Sequence, residues 1–134
     1  MNLPNYDFNW LAIIAAAVSA FLLGGLWYGP LFKKAWCREA GIDPDTAPAH
    51  RARIFVVAFA CSFLAALIFA VFLGPAPTPA GGVAAGFTVG LFFVGMSFGI
   101  NYAFAQRSHV LWMIDSGYHI LQFCLYGLIL GFWH

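Results

Sequence analysis

The chain has 134 residues, of which 63% are hydrophobic and only 8% charged. Soluble domains carry about 25% charged residues, so composition argues against a water-soluble domain and for lipid as the solvent. A net charge of +1 excludes a global field that would draw in nucleic acid or acidic substrates.

The first apolar run covers about residues 8–28. The stretch before it, "MNLPNYDFN", contains Asp7 and no lysine or arginine, the wrong sign for a signal peptide. The run ends in "GGLWYGP", bulky where a cleavage site needs small residues, so it reads as a retained span. Next, "LFKKAWCREAG" predicts a short amphipathic helix over about 31–40, with Pro30 in its first turn and Gly41 as its C-cap. Leu31, Phe32, Ala35 and Trp36 can face lipid there while Lys33, Lys34 and Arg38 meet anionic head groups. In the following loop, Asp45 or Thr46 can cap the second span, with Pro48 in its first turn.

Further apolar runs follow at about 54–73, 83–104 and 110–132. Each is close to the roughly 20 residues that cross a bilayer as helix. They are too continuous for barrel strands, which alternate. The expected fold is all-α: one multi-pass domain over 1–134, a four-helix membrane bundle with an interfacial helix between helices one and two. Lys33, Lys34, Arg38, Arg51 and Arg53 lie between spans one and two, and Arg107 between spans three and four. By the positive-inside rule both basic loops face the cytoplasm and both termini face out of the inner membrane. Trp10, Trp27, Tyr28, Trp112 and Trp133 stand where aromatic belts stand.

Lipid provides no hydrophobic drive between helices, so packing requires small residues. Span three carries Gly82, Gly86 and Gly90 in one seam and Gly95 and Gly99, with Ala103, in a second. At about 100° per residue the second seam points well away from the first, which leaves one side for span four and one for a partner chain, a homo-oligomer. Span one has Ala12, Ala16, Ala20 and Gly24 at the same spacing, and span four has Gly127 and Gly131. Cys37, Cys61 and Cys124 show no paired spacing. Cys61 and Cys124 read as small packing residues.

Span four raises the chemical question. Asp115, His119, Gln122 and Tyr126 fall with Trp112 within an arc of about 80°, and such a stripe should face the bundle or water. Ser97 and Asn101 of span three reach the same depth, so a polar half-pocket can open to the cytoplasm. One reading is proton or cation handling, with His119 titrating and Asp115 as counter-charge. Another makes the cluster structural, with Asp115 capping span four, pairing with Arg107 or a loop lysine, or accepting a bond from Asn101. A metal site lacks ligands and no cofactor motif is present; catalytic motifs are absent, so an enzyme is the least favoured class. The functional alternatives are a small oligomeric channel or transporter and a non-transporting scaffold.

Two stretches, "GGLWYGPLFKKAW" and "IDSGYHIL", together resemble an uncharacterised family of small bacterial membrane proteins, domain of unknown function 1761. The first element is carried by Trp27, Tyr28, Pro30, Leu31, Phe32 and Trp36, the second by Asp115, Gly117, Tyr118 and His119. The resemblance covers nearly the whole chain and implies a bacterial multi-pass architecture. It brings no activity, cofactor or catalytic residue.

Overall fold

Backbone groups in an apolar solvent must satisfy one another locally, so a chain of this composition resolves into helices. The computed structural model describes residues 7–134, and every regular element among them is helical. The segment before residue 7, whose lack of basic residues enters the orientation argument, lies outside the described residues.

Helix α1 (Trp10–Leu26) starts under Asn9, whose side chain accepts from the Ala12 amide at 3.1 Å. It runs into a bent turn, Trp27–Leu31, broken at Gly29. The cause is Pro30, which has no amide to donate and disfavours helical backbone in the residue before it. Pro30 therefore makes the bend and does not open the next helix, α2 (Lys33–Ala40). Gly41 closes α2 as expected, at φ +72°, where a side chain would be strained.

Helix α3 (Arg51–Leu73) is capped by neither Asp45 nor Thr46, and Pro48 lies outside it. Asp43 holds its own loop instead, accepting from the Asp45 amide at 2.9 Å and the Thr46 hydroxyl at 2.8 Å. Those two bonds keep the Asp43 carboxyl below the usual range. The third rod comprises α4 (Pro79–Thr88), a π-helical segment Val89–Gly95, and α5 (Met96–Phe104). It begins four residues before the expected position, because Thr78 accepts from the Gly81 amide at 3.1 Å and Pro79 fits the first turn. Helix α6 (His109–Phe132) is capped by Ser108, which accepts from the Leu111 amide at 3.2 Å; Asp115 does not cap it.

Three helices are long and apolar enough to cross a membrane: Trp10–Leu31, Arg51–Leu73 and Pro79–Phe104. Among the described residues three of the four expected spans meet that criterion, and the fourth run is a helix, α6, that does not. Asp115, Ser116, His119 and Gln122 make α6 the most polar of the long helices, and it is also the axis, touching every other helix. Leu22, Phe72, Phe93 and Phe104 are among many large apolar side chains exposed on the outside, a surface compatible with a membrane protein. Inside, Ala12, Ala16 and Ala20 of α1 let Ala66 and Phe69 of α3 and Tyr126 and Leu130 of α6 close into a dry core. Cys61 is exposed and Cys124 half-buried; the buried thiol is Cys37.

The small-residue seam corrects a second expectation. Gly82, Gly86 and Gly90 meet the α6 backbone so closely that a Cβ would overlap Gly127, Phe123 and Ile120 in turn. Gly131 lies equally close to Pro79, with its Cβ position 2.6 Å from Pro79 Cα. In an α-helix Gly95 would sit about 140° around from Gly90. The π segment adds one residue to the turn, so Gly95 returns to the α6 side beside Ser116, and Gly99 lies under the Trp112 ring, 3.2 Å from its Cβ position. The two predicted seams are one, and both face α6 within the chain.

Candidate functional site: a buried carboxylate clasp

Asp115 is 8% exposed, near the start of α6. A carboxylate at that depth requires donors, and three aromatic side chains supply them. The Tyr28 hydroxyl donates to Oδ1 at 2.6 Å and the Trp36 indole N–H donates to the same oxygen at 3.0 Å. The Tyr102 hydroxyl donates to Oδ2 at 2.5 Å. These residues come from the bend, from α2 and from α5, so one side chain ties three separate segments to α6. The charge is held by neutral donors. Among the described residues the one ion pair is Arg38–Glu39, at 3.4 Å, away from the clasp.

The surrounding backbone is shaped for the same contact. Trp27 lies against Gly117, 2.9 Å from its Cβ position, and its indole N–H donates to the Ile114 carbonyl at 2.9 Å. Tyr118 packs 5.5 Å from Tyr28, ring centre to ring centre, and donates to the Ala20 carbonyl at 3.0 Å. Phe32 packs on Trp27 at 4.7 Å. Of the apolar α2 face expected to meet lipid, Trp36 therefore turns inward, while Lys33, Lys34 and Arg38 remain exposed.

Four residues on, the stripe makes a different network. His119 Nδ1 is 2.5 Å from the Gln122 side-chain oxygen Oε1. The Gln122 amide donates to the Tyr126 hydroxyl at 2.7 Å, and Tyr126 donates to the Ser62 carbonyl at 3.1 Å with the Ser62 hydroxyl 2.6 Å away. Ser62 Oγ ends the line 3.4 Å from the Ala17 carbonyl. His119 also stacks on Phe98, ring centres 5.3 Å apart. The structure thus brings Gln122 and Tyr126 to His119 and sends Asp115 to the aromatic clasp.

Ser97 and Asn101 join neither network. Ser97 is exposed and bonds back to the Phe93 carbonyl at 2.6 Å, and Asn101 is exposed on α5. Neither Asn101, Arg107 nor a loop lysine reaches Asp115, whose contacts are the three aromatic donors. Tyr102 is the partner that sequence reasoning missed. Its position three residues before the turn into span four, facing a buried acid, was the available signal. No cluster of three or more His, Cys, Asp or Glu groups able to hold a metal occurs among the described residues.

An all-helical chain with several apolar helices and a buried carboxylate is compatible with a membrane protein. The chain belongs to the family described as Protein of unknown function (DUF1761), which it matches over residues 11–131. No curated protein and no solved structure matches it. The two sequence elements quoted for the resemblance, 87 residues apart at Tyr28 and Asp115, supply the carboxylate and two of its three donors, Tyr28 and Trp36.

Proposed function

We propose that this chain is a non-transporting membrane protein that holds the basic helix α2 at the cytoplasmic head-group layer as a fixed docking surface for anionic lipid. In this reading α6 is a fourth crossing, its polar face screened from lipid by the other three rods, and both chain ends face out. One observation carries it: both oxygens of Asp115 are occupied by donors whose bulky rings are themselves packed. A transport site must exchange its ligands with water or ions during each cycle. Releasing Asp115 would require α2 and the bend to leave α6. The second network also favours a static role, since its last acceptor is a backbone carbonyl of α1.

The reading requires no second copy, whereas a pore in so small a bundle does. Its test is ion flux in proteoliposomes. Protein that is folded by size exclusion is expected to pass protons, sodium and potassium no faster than empty vesicles. Flux that disappears in Asp115→Asn or His119→Ala, both still folded, would overturn the proposal in favour of a channel or transporter.

A further inference from the structure

A groove of about 430 Å³ runs between α5 and the start of α6, on the outer side of the clasp. Met96, Gly99, Ile100, Tyr102 and Ala103 line it from α5, and the Trp112 ring, which covers Gly99, forms the facing wall. That wall is fixed: the Trp112 indole N–H donates to the Gly95 carbonyl at 2.9 Å, in the π-helical segment. The lining is apolar for most of its length, and its polar groups gather at one end, at Arg107, Ser108 and His109. From Met96 to Ala103 the apolar part runs about 10 Å along the helix.

The charge at that end is uncancelled. Glu39 lies beside Ser108, whose hydroxyl holds its carboxyl below the usual range, but Glu39 is paired with Arg38. Arg107 is exposed in the turn and takes no part in an ion pair. One basic end on a narrow apolar trough matches one amphiphile, an anionic head on a hydrocarbon tail. A zwitterionic lipid would fill the trough and also offer a phosphate, but its own ammonium group cancels that charge and competes with the cation.

We propose that this groove is a binding site for one anionic phospholipid of the surrounding membrane, its phosphate at Arg107 and His109 and an acyl chain along Ile100, Ala103 and Trp112. The site is separate from the α2 surface and stands whether or not Asp115 is purely structural. It requires only that the apolar rods lie in lipid.

The experiment is native mass spectrometry of the full chain released from bilayers of equal phosphatidylglycerol and phosphatidylcholine. A single cation near a membrane surface favours an anionic lipid by about fivefold. One retained phosphatidylglycerol, preferred by about that factor, is expected for the native chain and for Arg107→Lys. Arg107→Gln is expected to abolish the preference, and Ala103→Phe, which fills an exposed part of the trough, to abolish retention itself. Two results would overturn the site. One is equal retention of the two lipids by the native chain. The other is a preference that survives Arg107→Gln but falls in Lys33→Gln/Lys34→Gln, which would place the lipid on α2.

Discussion

Asp115 shows why residue type alone could not assign the site. Tyr28 and Trp36 have the composition of an interfacial belt, and an indole N–H that meets a head group looks the same in sequence as one that meets a carboxylate. Their donation to Asp115 leads to a stability prediction. Bonds to a charged acceptor contribute about 1.5–3 kcal/mol each, and a donor left facing the wrong group costs more than one simply removed. Asp115→Asn keeps the shape but turns one acceptor into an amide facing a donor, so it should lower unfolding stability by about 3 kcal/mol. Tyr102→Phe, which removes one donor only, should lose about 2 kcal/mol. Thermal unfolding in lipid nanodiscs measures both; an Asp115→Asn chain as stable as the native one would remove the clasp from the account of the fold. Glu39 gives a pH dependence of known sign. The Ser108 hydroxyl and then Arg38 hold its carboxyl below the usual value, so its contribution is present above the ordinary carboxylate pKa of about 4.3 and is lost as pH falls through the lowered one. Acid should therefore loosen α2 from the α5–α6 turn, read as faster amide exchange in Lys33–Ala40, and Glu39→Gln should remove the pH dependence.

At the scale of elements, hydropathy placed all four rods and the small-residue spacing found the surface on which α4 meets α6. The register beyond Gly90 was not legible, because counting at 100° per residue assumes an unbroken α-helix. A single extra residue in the Val89–Gly95 turn rotates everything after it, and no side chain there announces the change. Helix starts were misjudged for a related reason: Gly81 and Gly82 have loop composition, yet Gly82 is glycine because the α6 backbone touches it. The seam makes opposite predictions for two glycines. Gly86→Ala drives a methyl group into the Phe123 carbonyl and should cost about 3 kcal/mol or more. Gly25→Ala meets nothing within 4 Å and should stabilise α1 by up to about 1 kcal/mol. Deleting Val94 would restore α-helical winding and put Gly95 and Gly99 four and eight residues after Gly90, so both would still face α6. Such a chain should lose less stability than the Gly86 variant, by the same unfolding assay. If it does not, the π segment does more than align the two seams.

For the whole molecule, the path of α6 relative to the bilayer decides the topology. Its 24 residues span about 36 Å, more than the roughly 30 Å hydrocarbon core, yet its polar stripe keeps it from qualifying as an apolar span. Lipid exclusion resolves the conflict. Asp115, Ser116 and Gln122 are buried against neighbouring helices and His119 is half-buried against Phe98. The polar face that lowers its hydropathy therefore turns into the bundle, while Met113, Leu121 and Leu128 stay exposed. A helix whose polar face is so enclosed can cross although its sequence, read alone, is too polar; hydropathy measures transfer into lipid, and that face of α6 transfers into protein. If it crosses, its two ends lie in different compartments, and by the charge rule the Arg107 end is cytoplasmic. A chain with Cys37, Cys61 and Cys124 replaced by alanine provides the background for single cysteines at Gln106 and His134. In sealed, right-side-out vesicles an impermeant maleimide should label His134→Cys directly and Gln106→Cys only after the membrane is opened. Labelling of both from one side would mean that α6 re-enters and does not span, and would remove the fourth crossing. The reverse pattern would keep the crossing but invert the protein, turning α2 and its lysines to the outside and removing the cytoplasmic docking surface with them.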